Sequence, residues 1–323
     1  MITVVIPYYQ RLPGILGRAI RSVMYQSVEL PITLIVVDDD SPIPASVDLQ
    51  GIRAPDNICI RIIRRSNGGP GAARNTGLQN TPLKTKYLAF LDSDDEWTQH
   101  HLESAITALD RGYDFYFSDF YQLEQTVSAF ARAGRIDISK HEPLDGEPQL
   151  FAYVGSMLNQ IIMGNIIGTS TVVYDFQKFS EIRFREDLKS AGEDYLFWIE
   201  FAKRGARFVF STRQEAVYGK GINVYSGAKW GSVDILRRIQ NELEYRKSIE
   251  KVVSLNQEQQ DFIKGKITEL RESFLRALLH YMRHTRKIPL SLIWSQIGRD
   301  AKTLLLLPRL MAHKTLGFNR SKS

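Results

Sequence analysis

Residues Tyr87–Trp97 read YLAFLDSDDEW. The run Tyr87–Leu91 has the length and composition of a buried strand. It stops at Asp92, and three carboxylates, Asp92, Asp94 and Asp95, fall within four residues. Like charges at such spacing repel by about 1 kcal/mol per pair at 4 Å even in water. Folding alone gives no reason to cluster them. A hard divalent cation does, because Mg²⁺ or Mn²⁺ takes one or two carboxylates together with phosphate oxygens. Helix capping explains part of the cluster: Asp94 or Asp95 suits the start of a helix over Trp97–Leu109, but capping does not explain all three.

Outward from this stretch the first hundred residues alternate. Thr3–Pro7 (TVVIP), Ile32–Val37 (ITLIVV) and Ile58–Ile63 (ICIRII) read as further buried strands. Gly14–Gln26 places Ile15, Leu16, Ala19, Ile20 and Val23 at helical spacing, and Gly71–Leu78 reads as a helix start. Strands apolar on both faces and separated by helices predict an α/β fold with a mostly parallel sheet covered on both sides. Ligands of such sheets sit beyond the carboxyl ends of the strands. The polar clusters fall there: Pro7-Tyr8-Tyr9-Gln10, Asp38-Asp39-Asp40-Ser41, Asn67 through Asn75 (NGGPGAARN), and Asp92-Ser93-Asp94-Asp95. Any one of them is compatible with an ordinary turn, whereas four at one sheet edge mark a site.

The remainder is less regular. Residues 122–148 read as an irregular, mobile loop over the site, and Ile166–Tyr174 (IIGTSTVVY) as another strand. Gly192–Gly205 (GEDYLFWIEFAKRG) reads as a helix with an acidic start suited to the dipole and a C-capping glycine. Trp198 falls inside that helix, as expected of a core residue. Trp230 is a candidate sugar platform. From Val233 the chain reads as helical, with Ile267, Leu270, Phe274, Leu278 and Tyr281 forming an amphipathic stripe. The expected division is a catalytic domain over 1–232, with halves 1–120 and 121–232, and a helical extension over 233–323.

Composition narrows the classes. The net charge is +6, but residues 264–323 carry 13 Lys/Arg against 3 Asp/Glu, and the rest carries 29 against 33. Basicity confined to the tail argues against a nucleic-acid-binding core. The tail mixes cations with apolar residues and Trp294, as expected of a segment lying on an anionic membrane surface. A solvated basic face on a packed helix is the plainer alternative. The N-terminus reads as a strand, with neither a basic region nor a long apolar region, and no apolar run reaches spanning length. The single cysteine, Cys59, fits a reducing cytoplasm.

The clusters carry chemistry. Glycines in NGGPGAARN permit close backbone approach, and Arg74 suits a diphosphate. No P-loop or dinucleotide fingerprint is present. An aromatic at Tyr9 suits stacking on a base, and a carboxylate at Asp39 suits a uracil N3–H. One of Tyr8 and Tyr9 is expected in the core, because strand neighbours point opposite ways.

Taken together, VVIPYYQ, IVVDDDS, NGGPGAARNTG, FLDSDDEW and GEDYLFW, in this order and spacing, resemble a family 2 glycosyltransferase of the GT-A fold over about residues 1–225. VYGKGINVYSGAKWGS (217–232), with the opening TVVIPYYQR, further resembles bacterial glucosyltransferases of succinoglycan-type exopolysaccharide synthesis. The resemblance implies an inverting transferase that uses a UDP-sugar, UDP-glucose foremost, and a divalent cation, Mn²⁺ or Mg²⁺. Carried over by position, Pro7, Tyr9 and Asp39 hold the uridine, and Arg74 and Ser93 lie by the nucleotide. Asp92 meets ribose or metal, and Asp94 binds the metal. Asp194 is the general base, and Glu193 supports it or orients the acceptor. The implied acceptor is a polyprenyl-diphosphate-linked glycan at the inner face of the cytoplasmic membrane, with a β-linkage formed.

Two departures stand out. Many relatives place a His after the catalytic helix, whereas Tyr218–Asn223 offers Lys220 and Asn223, and Lys220 becomes the candidate diphosphate contact. Asp40 occupies a glycine-like turn position. The competing readings are a sugar-nucleotide nucleotidyltransferase, which leaves Glu193-Asp194 unexplained, and a non-catalytic glycan- or membrane-binding module.

Overall fold

The computed structural model describes residues 1–122, 125–188, 192–219 and 229–306. The chain forms two compact units, one of residues 1–189 with 193–223, the other of residues 190–192 with 224–323.

The first unit is built on a single sheet of ten strands: β1 (Ile2–Tyr8), β2 (Ile32–Asp38), β3 (Ile58–Arg64), β4 (Tyr87–Phe90), β5 (Glu96–Trp97), β6 (Phe115–Gln122), β7 (Glu142–Leu144), β8 (Glu147–Ala152), β9 (Val173–Asp175) and β10 (Phe208–Tyr218). Their order is β3-β2-β1-β4-β9-β6-β10-β8-β7, with β5 added to β10. The first four are parallel neighbours, as the alternation predicts, and β10 runs parallel to β6. Short β9 is antiparallel to both β4 and β6, and β8 and β7 close the far edge antiparallel. The β-branched residues of β1 and β2 are buried on both faces, so these strands form the centre of the core. Strand β3 is different: it is an edge strand with Arg61 and Arg64 outward and Ile62 exposed, not a fully buried strand.

Register aligns the loops that matter. Tyr8 pairs with Asp38, Asp38 with Arg64, and Val5 with Phe90. The chain therefore leaves β1, β2, β3 and β4 at one edge, bringing the four polar clusters side by side. A second layer comes from the helix Glu193–Lys203, whose Phe197 stacks on Phe184 at 3.9 Å. Trp198 is fully buried there among Phe90 and Phe115, as expected of a core residue.

Three expectations need correction. Residues 125–148 are not irregular throughout: they hold the helical turn Ala129–Ala133 and strand β7, and Leu144 lies in the main core. Ile166–Tyr174 is not one strand, since a 3₁₀ turn over Thr169–Thr171 interrupts it and only Val173–Asp175 pairs. The helix expected from Trp97 begins at His101, because Glu96–Trp97 pairs with β10 instead. Asp94 and Asp95 therefore do not cap it.

The second unit is helical. Its helices span Val233–Val252, Gln257–Thr285 and Leu290–Asp300. The predicted stripe packs: Phe274 and Leu278 are buried with Leu236, Ile239 and Leu292, and Leu270 and Tyr281 lie against them. Asn256 begins the longest helix with a capping box to Gln259. No helix of the described residues is long and apolar enough to cross a membrane.

Candidate active site

The loop after β2 divides its acids between distinct tasks. Asp38 accepts the backbone N–H groups of Ser41 and Ala45 at 2.8 and 2.9 Å, which makes it a turn former. Asp39 is buried and binds the next loop: it accepts from Gly68 and Gly69 N–H and from Arg65 at 2.9 Å. Asp40 has φ +59 and so keeps the glycine-like, left-handed conformation despite its side chain. Between Tyr8 and Tyr9 the expected division holds, with Tyr8 fully buried and Tyr9 half-buried. Pro7, the last-but-one residue of β1, is half-buried beside them.

Gln10 joins three of the loops. Its N–H meets Ser41 Oγ at 2.8 Å, and its Nε2 donates to Ser93 Oγ at 3.1 Å. Ser93 is thereby fixed, buried, at the base of the acidic loop.

In the glycine-rich segment the small residues serve protein contacts. Gly69, at φ +88, opens the helix Pro70–Gln79. A Cβ on Gly77 would sit 2.3 Å from Val5 Cγ1, and one on Gly71 would sit 3.2 Å from Glu193 Cγ. Gly71 thus lets the acidic start of the Glu193 helix approach this one.

Arg74, on that helix, is buried between two carboxylates. It binds Asp92 Oδ1 at 2.7 Å and Glu193 Oε1 at 3.3 Å. Burial works against its charge, but Asp92 and Glu193 outweigh burial and raise its pKa. Its Nε–H is buried with no acceptor among the described residues. Arg74 joins the acidic loop to the Glu193-Asp194 pair, two segments a hundred residues apart in sequence.

That pair is electrostatically stressed. Burial and then the Asp194 charge push Glu193 up to about 7, with Arg74 pulling the other way. Asp194 is half-buried, and its pKa is raised chiefly by burial. It accepts from Tyr195 N–H at 2.8 Å and from Thr169 Oγ1 at 3.4 Å.

The acidic loop itself sorts into a structural and a presenting half. Asp95 is buried and accepts from Ser170 Oγ at 2.5 Å and Gly219 N–H at 2.9 Å. Burial, followed by the Asp92 and Asp94 charges, raises its pKa. Asp92 is half-exposed, and Asp94 is half-buried. The donor set of these two suits a hard cation that completes its shell with phosphate oxygens. No group of three or more His, Cys, Asp or Glu among the described residues forms a metal cage. Lys220 lies outside the described residues.

Two structural participants escape a sequence reading. Ser170 accepts Asp92 N–H at 3.0 Å, donates to Asp95, and receives Trp97 Nε1–H at its carbonyl. Its neighbour Thr169 contacts Asp194, so one short turn touches both halves of the site. Gly219 approaches the Asp94 carbonyl so closely that a Cβ would sit 1.7 Å from that oxygen. Below the loop, Glu215 is buried with His101 at 3.2 Å, Ser211 at 3.0 Å and the Tyr116 hydroxyl.

Comparison with known proteins places this arrangement. The succinoglycan biosynthesis protein ExoW of Rhizobium meliloti (strain 1021) is 35% identical over 242 residues, covering 73% of this chain and 74% of that protein. The putative teichuronic acid biosynthesis glycosyltransferase TuaG of Bacillus subtilis (strain 168) is 28% identical over 206 residues, covering 61% and 71%. Among solved structures, S. aureus TarS 1-349 in complex with UDP-GlcNAc matches 95% of this chain and 91% of its own, with a TM-score of 0.54 at 18% identity. The mannosyltransferase PcManGT from Pyrobaculum calidifontis, in complex with GDP-Man and Mn²⁺, matches 96% and 79% with a TM-score of 0.55 at 13% identity. At these identities the structural likeness establishes the GT-A fold and nothing finer. The model of "Glycosyl transferase family 2" matches residues 3–175, more than half of the sequence, and with ExoW it shows that this chain belongs to glycosyltransferase family 2.

Proposed function

We propose that the chain is an inverting transferase that moves glucose from UDP-glucose to a polyprenyl-diphosphate-linked oligosaccharide, forming a β-linkage in surface-polysaccharide synthesis. One observation carries the reading. Arg74 brackets Asp92 on the donor side and Glu193 beside Asp194 on the acceptor side. Likeness to ExoW over most of both chains supports an exopolysaccharide product. The TarS complex with UDP-GlcNAc supports a UDP-linked donor.

Each residue has a task. Tyr9 stacks on the uracil, with Pro7 and Asp39 shaping its slot and Ser93 held beneath. Arg74 keeps Asp92 oriented beside the nucleotide. Asp94 with Asp92 would hold a divalent cation, Mn²⁺ or Mg²⁺, whose bound charge offsets that of the diphosphate. Asp194 takes the proton of the acceptor hydroxyl as its oxygen attacks the anomeric carbon. The bond to the diphosphate breaks with its electron pair leaving on UDP, and attack from the opposite face converts an α-linked donor into a β-glycoside. Glu193, buried on Arg74, orients rather than reacts. The reaction is assigned to the inner face of the cytoplasmic membrane, where a lipid-linked acceptor would lie.

The test is UDP release from a panel of UDP-sugars with Mn²⁺, using membrane lipid extracts as acceptor. UDP-glucose turning over fastest, with a β-linked product, supports the proposal. Another donor turning over faster removes glucose. Pyrophosphate exchange with a sugar phosphate and UTP would instead indicate a nucleotidyltransferase.

A further inference from the structure

The helix Leu290–Asp300 buries polar residues beside apolar ones: Leu292 and Ile293 pack in the helical core, yet Gln296 and Asp300 are buried too. Helices on a solvated surface normally turn apolar residues inward and polar ones outward. Here the inward row is Leu292, Gln296 and Asp300, all buried. Gln296 Nε2 donates to Thr303 Oγ1 at 2.7 Å, and Asp300 receives a bidentate pair from Arg271 at 2.6 and 2.8 Å. Gln240 Nε2 donates to the Leu292 carbonyl at 3.0 Å. These polar ties fix the rotation of the helix, so its outward face is set by construction. That face presents Leu290 and Trp294, the latter 69% exposed, and Ile288 and Leu305, just before and after the helix in the chain, are exposed as well. The segments flanking this helix in the chain carry Arg283, Arg286, Lys287 and Lys302, all exposed and none in an ion pair among the described residues.

We infer that this face docks on an anionic bilayer. Leu290, Trp294, Ile288 and Leu305 enter the headgroup boundary, and the four cations bind lipid phosphates. Exposed apolar residues in one short segment with exposed cations that form no ion pair among the described residues match the chemistry of such a surface: an apolar interior beneath a negative skin. A protein partner would have to offer the same combination, which acidic lipid headgroups over acyl chains provide directly. The inference deepens the proposed reaction by naming the surface that holds the enzyme beside a lipid-linked acceptor, and it rests on that reading for its purpose.

The test is flotation of the full chain with vesicles of phosphatidylcholine alone or with 30 mol% phosphatidylglycerol, a mixture chosen at roughly physiological anionic content. The expected result is flotation with the anionic vesicles only, lost in high salt. Arg286→Gln and Lys287→Gln should each weaken binding about fivefold. Trp294→Ser, at an exposed position that does not support the core, should weaken it about tenfold or more. UDP release without lipid is measured on every variant and should be unchanged, which separates failure of docking from failure of the transferase reading. No flotation with anionic vesicles overturns the inference. So does a dimer of the full chain that Trp294→Ser dissolves, which would make a second copy the occupant. Equal binding by parent and Trp294→Ser also overturns it.

Discussion

Replacing Arg74 with Ala removes the one cation that, among the described residues, pairs with both Asp92 and Glu193. The two carboxylates would respond differently. The Asp92 side chain is 31% exposed and can be rehydrated, so its share of the loss is screened. The Glu193 side chain is 8% exposed and cannot. Leaving a buried charge without its partner costs about 3–5 kcal/mol, most of it here from Glu193. That is a large part of the 5–15 kcal/mol typical of a domain. The cost depends on pH. Glu193 already has a raised pKa of about 7, and Arg74 is among the groups holding it down. Without Arg74 it rises further, so the folded state binds a proton that the unfolded chain, titrating near 4.5, releases. A raised carboxyl gives stability at low pH that is lost as pH rises through its folded value. Arg74→Ala should therefore be more destabilised at pH 8 than at pH 6. Adding Glu193→Gln, which removes the stranded charge, should restore at least half of the loss at pH 8. Urea denaturation of parent, both single variants and the double at the two pH values measures this. A cost below about 1 kcal/mol for Arg74→Ala, or no recovery in the double variant, refutes the bracket.

Other consequences can be checked separately. Ser170→Ala removes the acceptor of Asp92 N–H and the donor to Asp95; we expect a loss of about 1–3 kcal/mol in thermal or urea unfolding, with a raised KM for the donor. Gly77→Ala drives a methyl group into Val5 and should cost about 1–3 kcal/mol without changing KM, so an unchanged Tm would contradict the packing described. Gly71→Ala presses on Glu193 instead, and should lower kcat more than it lowers stability. If Asp194 is the base, as proposed, it must be ionised to act; burial raises its pKa, so the acid limb of kcat/KM should lie above the ordinary aspartate value of 3.8, with activity falling as pH falls.

The donor half of this molecule is written in local sequence. Short β-branched runs followed by helical spacing give β1, β2 and β4 and put the four polar loops at one edge, because parallel strands must all be re-entered from the same end. The far half is not local. Strand β10 carries polar Ser211, Gln214 and Glu215 and changes register between Ser211 and Ala216, so no alternation betrays it. Its Glu215 is buried only because His101, Ser211 and Tyr116 surround it. Thr169-Ser170-Thr171 sits among residues of high strand propensity, yet it turns, because Ser170 is committed to Asp92, Asp95 and Trp97. Within the site, the capping expected of Asp94 or Asp95 fails, because Asp95 is held by Ser170 and Gly219, partners 75 and 124 residues away. What pattern does not contain is the role of Arg74, whose two partners lie 18 and 119 residues away. The outward face of the Leu290 helix is likewise legible only once Gln296 and Asp300 are found inside.

Asp194 is the residue on which the proposed sugar transfer turns, as its base. The direct measurement is UDP release by Asp194→Asn beside the parent chain, with the preferred UDP-sugar, Mn²⁺ and acceptor, both proteins having the same unfolding free energy within about 1 kcal/mol. Loss of a positioned base predicts a kcat lower by about 10²–10⁴-fold, with the KM for the donor little changed. A folded Asp194→Asn chain that releases UDP at the parent rate would mean that Asp194 is not the base.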